Sequence, residues 1–309
     1  MNAGPHGAVS PLIVSYDGTE PDAELLDWVK DGLVSGVVIF RENAVDENQL
    51  GSAVNRLHHA APGGVRIMID EEGGTVRRLP DAPASMPALR SYDSGDLERL
   101  AEDYAAVATR LGSLGIDILL APVVDLGGET SDWLRSRTFS DEPEEVARMA
   151  RAVIPAVQRH GVNACVKHFP GMRAVAADPH HLRAVDPTPP SEWDTRDAVP
   201  FRAAITSGVR MIMVGHQFVM GFDPTRPACL SPVIVSALLR QRLGFAGLIL
   251  TDDLAMGAIA GHYPIEQAFH DARAAGCDLI LVCRNRDLQR RAVSAWVASR
   301  PNEIGKING

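Results

Sequence analysis

Residues 247–253 of the chain read Gly-Leu-Ile-Leu-Thr-Asp-Asp, a short apolar run that ends in two carboxylates. An apolar run without polar alternation is typical of a strand buried on both faces of a parallel sheet. Seven further runs of strand length occur, and most share this near-continuous Val, Ile, Leu and Met character. The eight predicted strands are residues 12–16, 36–40, 65–70, 117–122, 163–169, 209–216, 247–253 and 278–283.

Segments with helical spacing separate the predicted strands. In residues 22–33, for example, Leu25, Val29 and Leu33 recur on one face, as in an amphipathic helix. Several such segments are followed by glycine, for example Gly276, which is the usual residue after a helix C-terminus. The eight predicted helices are residues 22–33, 47–61, 97–114, 143–160, 191–207, 231–243, 264–275 and 288–299.

Eight strands alternating with eight helices predict a (β/α)8 TIM barrel, an α/β fold. The alternative is an open, doubly wound sheet, but the strand count fits the barrel directly. We expect a single domain over residues 1–309, because no linker, repeat or low-complexity tract divides the chain. Two long connections, 71–95 and 171–190, exceed the usual loop length, which favours a functional role for both.

The composition excludes several classes of function. The chain has 309 residues, of which 46% are hydrophobic and 22% charged, and its net charge is −9. Without a cluster of Lys and Arg, we expect no nucleic-acid partner. No apolar run approaches the ~20 residues that span a bilayer, and no signal peptide is visible. Four cysteines without paired spacing favour free thiols, so we expect a cytoplasmic protein. We also expect a monomer with no membrane contact.

Charged and polar residues follow five of the predicted strands, at the end of a barrel where active sites lie. Charges gathered at one face would repel or remain unpaired unless a ligand or partner balanced them. These residues are Asp70, the segment from Asp125 to Arg137, Lys167 with His168, His216, and Asp252 with Asp253.

The adjacent carboxylates Asp252 and Asp253 have different expected roles. Successive side chains of a strand point to opposite faces, so at most one of the two is expected at the barrel mouth. The other is expected to make a structural hydrogen bond or to cap the next helix. A carboxylate at the mouth can act as a nucleophile, a base or a cation ligand.

Two further groups suggest chemistry at the mouth. Lys167, His168, Asp70, Arg78 and Arg137 form a set of polar groups suited to sugar hydroxyls or to an anion, although ion pairing alone is the structural alternative.

The second group lies in the long loop after the fifth strand. Asp178 precedes His180 by two residues and can orient its imidazole for general acid–base catalysis. The same pair could ligate a metal, but no second pair at ligand spacing lies nearby, so a zinc site is the less favoured interpretation.

These motifs resemble glycoside hydrolase family 3, and within it the single-domain bacterial β-N-acetylglucosaminidases of peptidoglycan recycling. The resemblance rests on Lys-His-Phe-Pro-Gly at 167–171, Asp-x-His at 178–180 and Thr-Asp-Asp-Leu-x-Met at 251–256. Asp-Glu-Glu-Gly-Gly at 70–74 and Arg-Thr-Phe at 137–139 agree as well, so the ordered match covers roughly residues 12–285.

The resemblance implies a retaining double displacement on a small-molecule glycoside, with no cofactor. Asp252 would be the nucleophile that forms a glycosyl–enzyme intermediate. His180, oriented by Asp178, would be the acid/base in place of the usual second carboxylate. The residues that the resemblance assigns to binding N-acetylglucosamine are Asp70, Arg78, Arg137, Lys167 and His168.

Departures from the family pattern keep other interpretations open. Met172-Arg173 stands where the family has His-Gly, Pro179 replaces a serine, and Thr75 replaces an arginine. These changes favour a second hypothesis, a barrel that binds a sugar or natural-product glycoside without efficient hydrolysis. A family-3 β-glucosidase would draw its acid/base from a second domain, for which this chain has no room. Phosphorolysis remains an alternative to hydrolysis as the reaction. The leaving group could be a muropeptide, a chitooligosaccharide or a natural product.

Overall fold

The structure, a computed structural model, describes residues 9–80, 86–128, 132–175 and 184–304. Ten strands lie within these ranges, most of them coinciding with the predicted apolar runs. In chain order they are β1 (Leu12–Val14), β2 (Gly36–Ile39), β3 (Arg66–Ile69), β4 (Ile118–Leu119), β5 (Asn163–Phe169), β6 (Val185–Asp186), β7 (Met211–Val214), β8 (Phe218–Val219), β9 (Leu248–Thr251) and β10 (Ile280–Val282).

Eight of these strands form one sheet, in the order β10-β1-β2-β3-β4-β5-β7-β9, and each neighbouring pair is parallel. A parallel bridge between Leu250 and Leu279 connects β9 to the start of β10 and closes the ring. The (β/α)8 barrel predicted from the alternation is therefore confirmed, and the open-sheet alternative is wrong.

Apolar side chains fill both faces of the ring, as the continuous runs predict. In β2, Val38 packs inside the barrel with residues such as Met68 and Leu120. Its neighbours Val37 and Ile39 belong to the larger core between strands and helices. This alternation follows from the two-residue period of a strand. All four cysteines are buried free thiols, as expected.

The helices surround the ring, and α1 and α2 each begin after an aspartate that caps the first turn. Asp22 accepts a hydrogen bond from the Leu25 amide, and Asp46 accepts one from the Gln49 amide. The described helices are α1 (Ala23–Lys30), α2 (Glu47–Ala60), α3 (Leu97–Ser113), α4 (Asp132–Arg135), α5 (Pro143–Gln158), α6 (Pro190–Thr195), α7 (Ala198–Thr206), a π-helix (Val233–Arg242), α8 (Gly257–Ala260), α9 (Ile265–Ala275) and α10 (Arg286–Ile304). None of these has the length and apolar character needed to cross a bilayer.

Some details differ from the sequence prediction, among them the short helices α4 and α8, which were not predicted. The predicted helix 191–207 is interrupted between α6 and α7, where Asp197 pairs with Arg173 from another loop. The short parallel pair of β6 and β8 was not predicted, because two residues carry no readable period. Several strands also end earlier than predicted: pairing in β3, β7 and β9 stops before Asp70, His216 and Asp252. These three side chains therefore need not follow the alternation between the two faces of a strand.

We expect Gly36→Ala to destabilise the barrel. A Cβ at this position would lie 2.6 Å from Cδ1 of Ile13 and 2.9 Å from the carbonyl oxygen of Arg66. Overpacking of this kind typically costs about 1–3 kcal/mol, which denaturant unfolding would measure. The matched control is Gly63→Ala, where no heavy atom lies within 4 Å of the added methyl group. Equal stability of the two variants would contradict the close packing of β1, β2 and β3.

Candidate active site

A cavity of about 490 Å³ lies where the barrel strands end. Its floor consists of side chains from the barrel interior, including Val38, Leu120, Met213 and Leu281. Its walls carry six of the predicted site residues: Asp70, Arg78, Arg137, Lys167, His168 and Asp252. The structure thus brings together side chains that are far apart in the sequence. An apolar floor with convergent polar walls is typical of a small-molecule site.

A buried ion network connects three sides of this cavity. Nζ of Lys167 lies 2.5 Å from Oδ1 of Asp70 and 2.6 Å from Oε1 of Glu72. Nε and Nη2 of Arg137 each donate to one oxygen of Glu72 at 2.8 Å, a bidentate contact. The Glu72 side chain is only 1% exposed, and that of Lys167 only 3%. Each buried charge therefore has an opposite charge in direct contact, as burial of ions requires.

The network keeps its members charged. Burial raises the pKa of Glu72, but the nearby charges of Arg137 and Lys167 outweigh burial and hold that pKa well below its usual range. Burial likewise lowers the pKa of Lys167, and Asp70 and Glu72 more than compensate, so the net shift is upward. The side chain of Asp70 remains 18% exposed at the cavity. Asp70 is thus positioned to accept hydrogen bonds from a ligand while Lys167 holds it.

Glu72 is a site residue that was not predicted from the sequence. It lies two positions after Asp70, and side chains at that spacing in an extended segment share a face. This spacing was the signal that could have found it. Glu71, between them, has a structural role: its Oε2 accepts hydrogen bonds from the amides of Arg78 and Leu79 at 2.7 and 2.9 Å.

Asp125 fixes the orientation of His168. Its Oδ2 lies 2.7 Å from Nδ1 of His168 and also accepts the His168 amide at 3.1 Å. Its Oδ1 accepts the amide of Met172 at 3.1 Å. Because a carboxylate accepts, Nδ1 is the donor in this contact, and Asp125 fixes the orientation of the ring. In the sequence, Asp125 is recognisable only as the start of a polar segment, so this role was not predicted.

Asp252 and Asp253 follow β9 and make different hydrogen bonds. Oδ1 of Asp252 accepts the amide of Asp253 at 2.8 Å. Oδ1 of Asp253 accepts the amides of Ala255 and Cys283, both at 2.9 Å, which confirms a structural hydrogen bond for this residue. Both residues line the cavity, and the expectation that at most one of the two carboxylates faces the mouth stays a prediction. Strand pairing ends at Thr251, so strict alternation does not extend to them.

His216 supports this segment instead of lining the cavity with the other charged residues. It is fully buried, and its Nε2 donates to the carbonyl oxygen of Asp253 at 2.8 Å. Nδ1 therefore accepts from the thiol of Cys229, whose Sγ lies 3.2 Å away. Burial raises the pKa of Cys229 well above its usual value, which keeps the thiol protonated and able to donate.

The predicted acid/base pair, Asp178 and His180, lies outside the described residues, as does Pro179. The base of their loop is described and firmly packed. Met172 is buried in a small apolar cluster with Leu134, Val175 and Ala184. Arg173 lies 2.7 Å from Glu192 and 3.3 Å from Asp197. Met172 and Arg173, two of the residues that depart from the family pattern, therefore attach the base of the loop to α4, to α6 and to the residue before α7.

No group of three or more His, Cys, Asp and Glu side chains suited to a metal ion occurs in the described part of the chain. The charged wall can donate and accept hydrogen bonds to a polyhydroxylated ring, and the apolar floor can contact its C–H groups. Asp252 lies on the same cavity, where a carboxylate can attack or stabilise an electron-poor carbon.

Comparison with known proteins identifies similar chains. The family described as glycosyl hydrolase family 3 N terminal domain matches residues 9–301. A beta-hexosaminidase of Xylella fastidiosa (strain 9a5c) is 34% identical over 303 residues, which cover 96% of this chain and 90% of the relative.

Two solved structures are similar along nearly the whole chain. A family 3 β-N-acetylglucosaminidase from Paenibacillus sp. str. FPU-7 superposes with a TM-score of 0.90 at 30% identity over 95% of this chain. This chain spans only 57% of the length of that enzyme. NagZ from Neisseria gonorrhoeae, solved in complex with N-trifluoroacetyl-D-glucosamine, has a TM-score of 0.86 at 28% identity, covering 94% of this chain and 86% of NagZ.

We expect Asp253→Asn to change how stability depends on pH. Burial raises the pKa of Asp253 from 3.8 to about 6. The proton bound to the Asp253 carboxyl therefore stabilises the folded protein fully below pH 4, and this contribution to the free energy of unfolding is lost as pH rises to about 6. Asparagine retains the accepting oxygen and cannot ionise. The variant should gain stability relative to the wild type between these pH values, by on the order of 2 kcal/mol.

Urea unfolding at several pH values would measure this difference. The control is Asp287→Asn, an exposed carboxylate on α10. Parallel curves for wild type and Asp253→Asn over that range would contradict the raised pKa.

Proposed function

Because this chain belongs to glycosyl hydrolase family 3, we propose that it is a retaining exo-β-N-acetylglucosaminidase that releases terminal β-linked N-acetylglucosamine. As the natural substrates we propose muropeptides derived from peptidoglycan. The observation that carries the proposal is the position of Asp252 on the same cavity as Asp70, Lys167 and His168. The names of the relatives, a beta-hexosaminidase and a β-N-acetylglucosaminidase, support the choice of sugar.

In this proposal the ion network binds the sugar. Lys167 and Arg137 keep their charges, and Asp70 accepts hydrogen bonds from hydroxyl groups at the cavity surface. Asp125 orients His168, whose Nε2 forms a hydrogen bond with a further hydroxyl group. Because these groups are already held by one another, little side-chain entropy is lost when the sugar binds.

The carboxylate of Asp252 acts as the nucleophile. One of its oxygens attacks the anomeric carbon, the bond from that carbon to the leaving-group oxygen breaks, and a glycosyl ester forms. The Asp253 amide, at 2.8 Å from Oδ1, orients the attacking group. Water then attacks the same carbon, releases Asp252 and gives a sugar with its original anomeric configuration.

His180 supplies and removes the proton in these steps. As imidazolium it protonates the leaving-group oxygen, and as neutral imidazole it accepts a proton from water in the second step. Asp178 orients the ring through a hydrogen bond. An imidazole suits this site because, unlike a second carboxylate, it does not repel Asp252, and its ordinary pKa of about 6.5 lies near neutrality.

The setting of the reaction is part of the proposal. We place a single-domain monomer in the cytoplasm, where free thiols persist, and the four buried free cysteines support that compartment. The second candidate function is sugar binding with poor hydrolysis. It is favoured by Met172 and Arg173, which attach the loop carrying His180 to neighbouring helices.

Asp252→Asn should lose nearly all turnover, because an amide oxygen is a poor nucleophile toward the anomeric carbon. We expect a decrease in kcat of at least about 10³-fold, measured by release of 4-nitrophenol from its β-N-acetylglucosaminide and from the β-glucoside. Calorimetry should show that N-acetylglucosamine still binds. The control, Asp287→Asn, changes an exposed surface carboxylate. Wild-type binding without turnover would favour the second candidate, and an active Asp252→Asn protein would refute the assignment.

His180→Ala should affect substrates with poor leaving groups most strongly, because those need a proton at the departing oxygen. We expect a loss of about 10²–10⁴-fold on an alkyl glycoside and a much smaller loss on an activated dinitrophenyl glycoside. His181→Ala, one position along the same loop, is the matched control. Equal losses on both substrates would argue against an acid role for His180.

A further inference from the structure

Arg284 has an unusual backbone conformation at the rim of the cavity. Among the described residues other than glycine, it alone has a positive φ, at 56°. It lies two residues after the end of β10, and its amide donates to Oγ of Ser15 at 2.7 Å. A left-handed conformation is unfavourable for a residue with a Cβ, and such residues cluster at ligand-binding sites. The conformation therefore requires an explanation that a simple connecting turn does not give.

The side chain of Arg284 lies against an aromatic ring. Its guanidinium carbon is 4.1 Å from the centroid of the Phe40 ring, and a guanidinium nitrogen lies 3.4 Å from Glu42. Phe40, Arg284 and Asn285 all line the cavity, and the Arg284 side chain is 56% exposed. Stacking on Phe40 leaves the edge of the guanidinium, which carries its N–H donors, available to a ligand.

This part of the rim lies beside Asp253, the residue that follows the proposed nucleophile Asp252. The amide of Cys283, the residue before Arg284, donates to Oδ1 of Asp253 at 2.9 Å. The charged wall proposed to bind the sugar comes instead from β3, β5 and the segment after β4. The anomeric carbon of a sugar bound to that wall must reach Asp252, and its leaving group would then occupy the part of the cavity that the wall leaves open, where Phe40 and Arg284 line the rim.

We propose that Phe40, Arg284 and Asn285 form a subsite for the leaving group and select glycosides whose leaving group carries a carboxylate. The inference rests on the proposed function and names the substrate class of that site. The planar guanidinium can hold a carboxylate through two parallel hydrogen bonds. Phe40 holds the guanidinium in place and provides an apolar surface. Glu42 competes for the same guanidinium, so a ligand carboxylate must displace or share that contact.

The test compares two substrates that differ in one carboxylate. In each variant, kcat/KM is measured for two substrates, 3-carboxy-4-nitrophenyl β-N-acetylglucosaminide and the unsubstituted 4-nitrophenyl glycoside. The quantity compared is the ratio of the first value to the second. Arg284→Asn removes the charge, and asparagine tolerates a positive φ. We expect this variant to lower the ratio by about 5- to 20-fold. Glu42→Gln removes the competing carboxylate and should raise the ratio.

A control and a second measurement make the outcome decisive. Arg291→Gln removes an exposed arginine that pairs with Glu266, and the ratio should not change. Calorimetry measures the binding of both glycosides to two inactive variants, Asp252→Asn and Asp252→Asn/Arg284→Asn. The comparison reports the preference for the carboxylate-bearing glycoside without turnover.

The results distinguish the two proposals. An unchanged ratio and unchanged binding preference in the Arg284→Asn proteins would overturn the subsite, as would a lower ratio in Glu42→Gln. Absence of hydrolysis with an Arg284-dependent binding preference would instead reject the proposed function and keep the subsite.

Discussion

The contact of Lys167 with Glu72 and Asp70 is the interaction on which the candidate site depends. An ammonium group buried to this degree is stable only when opposite charges touch it, and removal of one partner from such a pair typically costs about 3–5 kcal/mol. The contact connects the end of β5 to the loop after β3, and Arg137 adds the segment after β4. Since the partners are already in place, the charged wall of the cavity has its final arrangement before any ligand binds.

Different surroundings give different pKa values to two carboxylates that have similar positions in the sequence. Glu72 and Asp253 both lie just beyond a strand, yet the pKa of Glu72 is held well below its usual range by two cations. The pKa of Asp253 is raised to about 6 by burial. The first is a permanent anion that holds Lys167 and Arg137. The Asp253 carboxyl accepts backbone amides beside Asp252, and its carbonyl oxygen accepts a hydrogen bond from His216. Burial and neighbouring groups therefore decide which carboxylate holds cations and which one holds the backbone.

Much of the fold and part of the site could be predicted because their signals are local. A continuous apolar run such as 247–253 indicates a strand buried on both faces, and charges after it indicate the functional end of a barrel. Where each strand ends was less predictable, since the end of β9 depends on pairing with β7. Glu72 and Asp125 were missed because their importance comes from contacts with Arg137 and His168, residues more than forty positions away in the chain.

The sequence by itself determined the alternation of strands and helices, the polar residues at the strand ends and the family motifs, because each depends on the order and chemistry of neighbouring residues. Only the tertiary structure decided which charges meet. Closure of the ring through Leu250 and Leu279 places β10 beside β9. That closure brings Cys283 and Arg284 next to the carboxylates after β9, and Arg284 onto Phe40. These contacts depend on the distance between segments in space, which no local pattern specifies.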